Sequence, residues 1–75
     1  MRVLPSALKH GITVAQILAA FQVAMRRVEL GDDLLLVIGA DQSAQLLELI
    51  VVDAEGDDPR VIHAMPLQAK FYRYL

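Results

Sequence analysis

The chain has no cysteine among its 75 residues, and it has only two histidines, His10 and His63. Without cysteine, neither disulfides nor thiolate zinc sites can support the core. The two histidines do not stand at a metal-ligand spacing, so we expect neither a metal nor a cofactor. A domain of this size buries only about 60% of the surface of its unfolded chain, so a small apolar core must hold it together.

A long apolar run is also missing. The longest uncharged stretch, Ile12 to Met25, is interrupted by Thr13, Gln16 and Gln22, and it is shorter than the roughly 20 residues of a membrane span. No basic segment precedes a cleavable apolar one, so we expect a cytoplasmic protein that is neither exported nor membrane-bound. The hydrophobic content of 56% exceeds the usual 45–50% or so, which predicts a homodimer or a complex with another protein.

Charges of opposite sign are separated along the chain. All seven basic residues lie in residues 1–28 or 59–75, and all nine acidic residues lie between 29 and 58. The net charge of −2 argues against non-specific nucleic-acid binding by the whole molecule, although a local basic cluster suffices for phosphate contacts. A fold that brings the two ends together would place His10 and His63 in one basic neighbourhood.

The pattern of apolar residues and turns predicts a single α+β domain over residues 1–75. We expect N-terminal helices, a three- to four-stranded antiparallel meander and a short C-terminal helix that starts at Pro66. Gly11 ends a first helical turn, and Thr13 with Gln16 forms a capping box for a helix whose apolar stripe runs from Val14 to Met25. The predicted strands are 26–30, 34–38, 45–53 and 60–65.

His63 is the leading candidate for chemistry. Strand alternation places it on one face with Val61 and Met65, where Glu48 of the neighbouring strand can reach it. A carboxylate that orients an imidazole suits general acid–base catalysis. The commoner alternative is a polar pair that satisfies itself at the edge of a core or an interface.

Basic residues near both histidines are candidates for RNA or phosphate binding. Lys9 and His10 precede a glycine and a helix start, where free backbone N–H groups can hold a phosphate. The alternative for His10 is an interaction with a helix dipole, and for Lys9 a solvated charge. Further candidates near the second histidine are Arg60, Lys70, Tyr72 and Arg73. Tyr72 can stack on a base, whereas more often such a terminal helix only packs its rings.

Four short strings resemble BrnT-type toxins, small RelE-like ribonucleases of type II toxin–antitoxin systems. They are Lys9-His10-Gly11-Ile12 before a helix, and then, in the family's order, Leu36-Val37-Ile38-Gly39, Leu46-Leu47-Glu48-Leu49 and Val61-Ile62-His63-Ala64. The resemblance covers most of the chain and implies a compact ribonuclease that an adjacent antitoxin silences. Lys9 matches a basic position of the family. Its last strand reads Ile-Ser-Ala-Arg, so His63 replaces a serine and Met65 replaces an arginine implicated in RNA cleavage.

Two functions therefore stay open. The first is a metal-independent ribonuclease toxin in which His63, Glu48 and His10 act as catalytic residues and the basic residues bind RNA. The second is an inactive toxin scaffold that binds an antitoxin-like protein or itself. A nucleic-acid-binding regulator is less favoured, because no recognition helix with clustered basic residues is apparent.

Overall fold

A five-stranded mixed sheet forms the centre of the computed structural model, which describes residues 1–75. The strands are β1 (Arg2–Val3), β2 (Ala24–Gly31), β3 (Leu34–Ala40), β4 (Leu46–Val52) and β5 (Arg60–Pro66), in the spatial order β1-β5-β4-β3-β2. The helices are a 3-10 helix (Pro5–Leu8), α1 (Val14–Gln22) and a C-terminal 3-10 helix (Ala69–Tyr74). None of these helices has the length and apolar content needed to cross a membrane.

The predicted α+β class is confirmed, but the predicted meander is incomplete. Strands β2 to β5 pair antiparallel in sequence order, as expected. The sheet has a fifth strand, β1, which pairs parallel with β5 through Arg2 opposite Arg60 and Val3 opposite Val61. The expected N-terminal helices are one α-helix and one short 3-10 helix. A two-residue strand carries no periodicity, so the sequence pattern gave no sign of β1.

Helix α1 begins as the sequence predicts and ends earlier. The side chain of Thr13 accepts a hydrogen bond from the backbone of Gln16, and the side chain of Gln16 accepts one from the backbone of Thr13. The Gln16 amide also donates to Asp41 at 2.9 Å, and it is the main cause of the lowered pKa of that carboxyl. The helix stops at Gln22, because the chain turns at Val23 and Met25 enters β2.

One face of the sheet packs against α1 and the first 3-10 helix. The buried cluster joins Ile17 and Ala20 of α1, and Ala7 of the 3-10 helix, to residues of β3, β4 and β5. Gly39 allows the helix to approach closely, since a Cβ built there would lie 2.0 Å from the carbonyl oxygen of Ala20. The absence of a side chain at Gly39, near the end of β3, therefore allows α1 to lie close to the sheet.

The other face of the sheet lies beneath the C-terminal segment. Leu36, Ile38 and Glu48 have no exposed surface, yet the first two lie outside the cluster packed against α1. The backbone N–H of Leu67 donates to Leu46, and the guanidinium of Arg26 in β2 donates to the carbonyl oxygen of Tyr74. The C-terminal segment thus crosses this face from β4 toward β2.

The predicted alternation of side chains along β5 is wrong, because the strand contains a bulge. Val61 pairs with Val51 and His63 pairs with Ile50, which leaves Ile62 as an extra residue. Val61 and Ala64 are both fully buried on the core face, so Val61 does not share a face with His63. Pro66 is the last residue of β5 and does not begin the C-terminal helix. A bulge inserts one residue into the strand, and strict alternation cannot anticipate it.

Candidate active site

Glu48 is a carboxylate with no exposed surface on the face beneath the C-terminal segment. It accepts hydrogen bonds from three donors: Nε2 of His63 at 2.9 Å, and the backbone N–H and side-chain amide of Gln68, both at 2.8 Å. A buried charge is tolerated only where it is paired and hydrogen-bonded. The three donors meet this condition. No buried side-chain polar atom in the chain lacks a partner.

His63 links this buried carboxylate to the surface. Its side chain is 25% exposed, and its ring lies in an edge contact with the ring of His10, with the centroids 5.6 Å apart. Because the carboxylate accepts from Nε2, the neutral ring carries its hydrogen there and its lone pair on Nδ1. Nδ1 has no hydrogen-bond partner within the chain. This nitrogen is therefore available as a proton acceptor.

Pairing between the chain ends brings the two histidines together. The N–H of Leu4 donates to the carbonyl oxygen of Val61, and the hydroxyl of Ser6 donates to that of Ile62 at 2.7 Å. The first 3-10 helix therefore runs along the free edge of β5 and delivers His10 beside His63. The predicted contact between Glu48 and His63 is present. The proximity of His10 and His63, which the sequence left open, is also observed.

Arg60 lies on the same strand as His63, but an acidic residue engages its charge. Asp58 receives Arg60 at 3.1 Å and Arg2 through two hydrogen bonds, of 2.6 and 2.9 Å. The hydrogen bonds from Arg2 are the main cause that lowers the pKa of Asp58 to about 2, and Asp58 in turn raises the pKa of Arg2. Asp58 thus neutralises part of the positive charge that was expected near the two histidines.

The other predicted RNA-binding residues divide into two groups. Lys9 is exposed and adjacent to His10. Lys70, Tyr72 and Arg73 lie on the C-terminal 3-10 helix, which leads away from β5 toward β2. Lys70 lies over the ring of Phe71, and Arg73 lies over the ring of Tyr74 and donates to its hydroxyl. Among these residues, only Lys9 is next to one of the histidines in the chain.

Gln68 is a member of the site that sequence reasoning missed. It supplies two of the three hydrogen bonds to Glu48, and it comes from a segment that was expected to be helical from Pro66 onward. A single glutamine near a chain end carries no distinctive pattern. A carboxylate inside an apolar strand can accept more hydrogen bonds than one imidazole supplies, and this was the one available sign of a further donor.

The one concave pocket of the structure lies apart from the histidines. The turn between β2 and β3 and the loop between β4 and β5 enclose a cleft of about 750 Å³. Its charged lining residues are four acids, Glu29, Asp33, Asp53 and Glu55, and one base, Arg27. No group of three or more potential ligands in the chain is arranged to hold a metal ion. This cleft shares no residue with the histidine site.

Comparison with known proteins returned no relative of this chain. No protein-family model, no curated protein and no solved structure matches it. The functional proposal therefore rests on the geometry of these residues and on the resemblance of the four short strings.

Proposed function

We propose that the chain is a metal-independent ribonuclease toxin of a type II toxin–antitoxin system, with its chemistry at His63. The observation that carries the proposal is the position of His63, which bridges a fully buried carboxylate and a second, exposed imidazole. Cleavage of RNA without a metal needs a base, an acid and positive charge near the phosphate. His63, His10 and Lys9 are the residues of this site that fill those three roles.

The reaction transfers a phosphoryl group within the RNA, from the 5′-oxygen of one nucleotide to the 2′-oxygen of the nucleotide before it. Nδ1 of His63 takes the proton of a ribose 2′-hydroxyl, and the oxygen attacks the adjacent phosphorus. The bond from phosphorus to the 5′-oxygen of the next nucleotide breaks, and the protonated ring of His10 gives its proton to that oxygen. The products are a 2′,3′-cyclic phosphate and a free 5′-hydroxyl. Glu48 keeps the hydrogen of His63 on Nε2 and so leaves Nδ1 free.

The resemblance to BrnT-type toxins supports the same class of activity, with one substitution to explain. Met65, which stands where that family has an arginine, is the cross-strand partner of Glu48. An arginine there would lie beside the carboxylate, whereas in this chain His63 and Gln68 donate to it. In this proposal His63 takes over from the missing arginine. Lys70, Tyr72 and Arg73 have no part in it, because their helix leads away from β5.

Induced expression of the parent and of variants tests the proposal. We expect growth arrest and loss of intact RNA from the parent. His63→Ala and His10→Ala should each lower cleavage by about a hundredfold or more, the usual contribution of a general acid or base. Lys70→Ala is the matched control and should stay as toxic as the parent. Unchanged toxicity of a folded His63→Ala variant would refute the assignment.

An inactive scaffold that binds an antitoxin-like partner is the second candidate. The observation that favours it is the exposed apolar surface of α1, where Val14 and Leu18 stand one turn apart and are 44% and 40% exposed. Normal growth and intact RNA in cells that contain folded parent protein would favour this function. Co-expression with the product of an adjacent gene, followed by a pull-down, would then test for the complex, with Leu18→Glu expected to weaken it.

A further inference from the structure

The outer edge of β2 is the longest unpaired strand edge of the molecule. β2 closes one end of the sheet with eight residues, whereas β1 closes the other end with two. Six of the eight residues of β2 are exposed, including Met25 at 48% and Leu30 at 41%. An edge of unpaired N–H and C=O groups is a template for pairing with another strand.

The charges of β2 are arranged so that the strand complements itself. Arg27 and Glu29 pair with Val37 and Leu35 of β3, so both side chains lie on the core face of the sheet, and both are exposed. In an antiparallel pair of identical strands about a twofold axis at Val28, Arg27 of each copy stands directly opposite Glu29 of the other. Opposite charges at such positions stabilise the pair.

This arrangement also selects one register. A shift that preserves the faces of the sheet would move the axis to Arg27 or to Glu29. Either shift would place that residue opposite itself, and like charges directly opposite are destabilising. Of the three registers, only the one centred on Val28 forms two opposite-charge pairs.

Two irregularities limit the length of the pairing. The register of β2 against β3 shifts between Ala24 and Arg26 and between Glu29 and Gly31, so regular strand geometry runs from Arg26 to Glu29. The three pairs nearest the axis fall within this stretch. Bulges commonly protect an edge against extended aggregation, and here they favour a closed pair of strands over an open stack.

We propose that the chain forms a homodimer by antiparallel pairing of β2 with β2 of a second copy, centred on Val28. The two sheets then form one ten-stranded sheet, and the acidic clefts adjoin at its centre. His10 and His63 lie at the opposite edge of each copy, so the two sites face outward at the far ends. The inference goes beyond the proposed ribonuclease function and does not depend on it.

Charge reversal at the two positions tests the pairing. Sedimentation of the parent over a concentration series should show a reversible dimer. Arg27→Glu or Glu29→Arg should each raise the dissociation constant by about tenfold, because two opposite-charge pairs become two like-charge pairs. The double variant, Arg27→Glu with Glu29→Arg, should recover the affinity of the parent. Lys70→Glu and Asp57→Arg are the controls for net charge and should not change it.

A single introduced cysteine gives an independent readout. The chain has no cysteine, and opposite Cα atoms in antiparallel strands lie about 4.5–5.5 Å apart, a separation that a disulfide spans. Val28→Cys should therefore form a disulfide-linked dimer under mild oxidation, and Leu30→Cys should form much less. A parent that stays monomeric at all concentrations would overturn the proposal. So would a folded double charge variant that stays monomeric where the parent dimerises.

Discussion

The buried carboxylate of Glu48 organises the candidate site at the scale of single residues. An ionised carboxylate only accepts hydrogen bonds, and its two oxygens can accept several. Glu48 accepts three. Two of them come from Gln68 and one from His63. Glu48 therefore holds the C-terminal segment on the sheet and fixes His63 at the same time, so stability and the proposed chemistry depend on one residue.

Some contacts between single residues were predictable from the sequence, and others were not. An acid and a histidine in adjacent predicted strands were enough to predict the contact between Glu48 and His63. The ion pairs of Asp58 were out of reach, because Arg2 and Asp58 are 56 positions apart and only the parallel pairing of β1 brings them together. A loop acid beside a predicted basic cluster gives no sign of which side chain it will neutralise.

Asp58 should make the fold sensitive to acid. Its pKa is about 2 in the folded chain, below the roughly 3.9 of an unfolded aspartate. The stabilisation is therefore fully present above about pH 4 and is lost as the pH falls toward 2. Asp58→Asn should unfold at lower denaturant concentration than the parent at pH 7, and the two should converge near pH 2.

Denaturant titrations at a series of pH values measure this difference. Asp57→Asn, in the same turn, serves as the control and should follow the parent throughout. A constant gap between Asp58→Asn and the parent from pH 7 to pH 2 would show that Asp58 does not act through its charge.

At the scale of elements, the sequence predicts a helix boundary correctly where a capping residue or a glycine marks it. The capping box at Thr13 and the left-handed Gly11 at φ +82° both stand where the sequence predicted a helix start and a stop. The end of α1 had no such marker, since its apolar stripe continues through Met25 into the next strand. The apolar pattern alone does not distinguish the last turn of a helix from the first residues of a partly buried strand.

Gly39 should tolerate a side chain poorly, because the atoms nearest to an added Cβ belong to the backbone of α1. Gly39→Ala places a methyl group 2.0 Å from the carbonyl oxygen of Ala20, so α1 must move off the sheet. Forcing an extra methyl into a packed interior costs about 1–3 kcal/mol of unfolding free energy, and more where backbone must shift. We expect Gly39→Ala to lie at or above the upper end of that range in urea denaturation.

Gly11→Ala is the matched comparison for Gly39. Nothing lies within 4 Å of a Cβ at Gly11, so its cost arises only from the positive φ, about 1–2 kcal/mol. Near-ultraviolet circular dichroism should change for Gly39→Ala and stay like the parent for Gly11→Ala. Equal destabilisation by the two substitutions would mean that α1 does not lie as close to β3 as described.

At the scale of the whole molecule, the fold brings residues that are far apart in the chain to one edge of the sheet. Arg2, Lys9 and Arg60 come from the two end regions of the chain, and pairing of β1 with β5 joins those regions at one edge of the sheet. His10 and His63 meet there, while β2 at the other edge carries the self-complementary charges. The sequence predicted that the ends could meet, but only the strand order separates the histidine site from the β2 edge.

The C-terminal segment should be essential to the stability of the whole domain, because it covers one face of the sheet. Deleting residues 69–75 removes the 3-10 helix above Leu36 and Ile38, which are now fully buried. Complete burial of one such side chain contributes about 1.5–3 kcal/mol. We therefore expect the free energy of unfolding to fall by about 2–4 kcal/mol, a large share of the 5–15 kcal/mol typical of a domain.

Urea denaturation of the truncated chain, compared with a chain that lacks only Leu75, measures this effect. Leu75 is 48% exposed, so its removal should change stability little. The truncation should also increase binding of a hydrophobic dye, since Leu36 and Ile38 become exposed. Equal denaturation midpoints for the two truncated chains would show that the second face of the sheet is stable without its cover. Glu48 and His63 would then not depend on the C-terminal 3-10 helix for their positions.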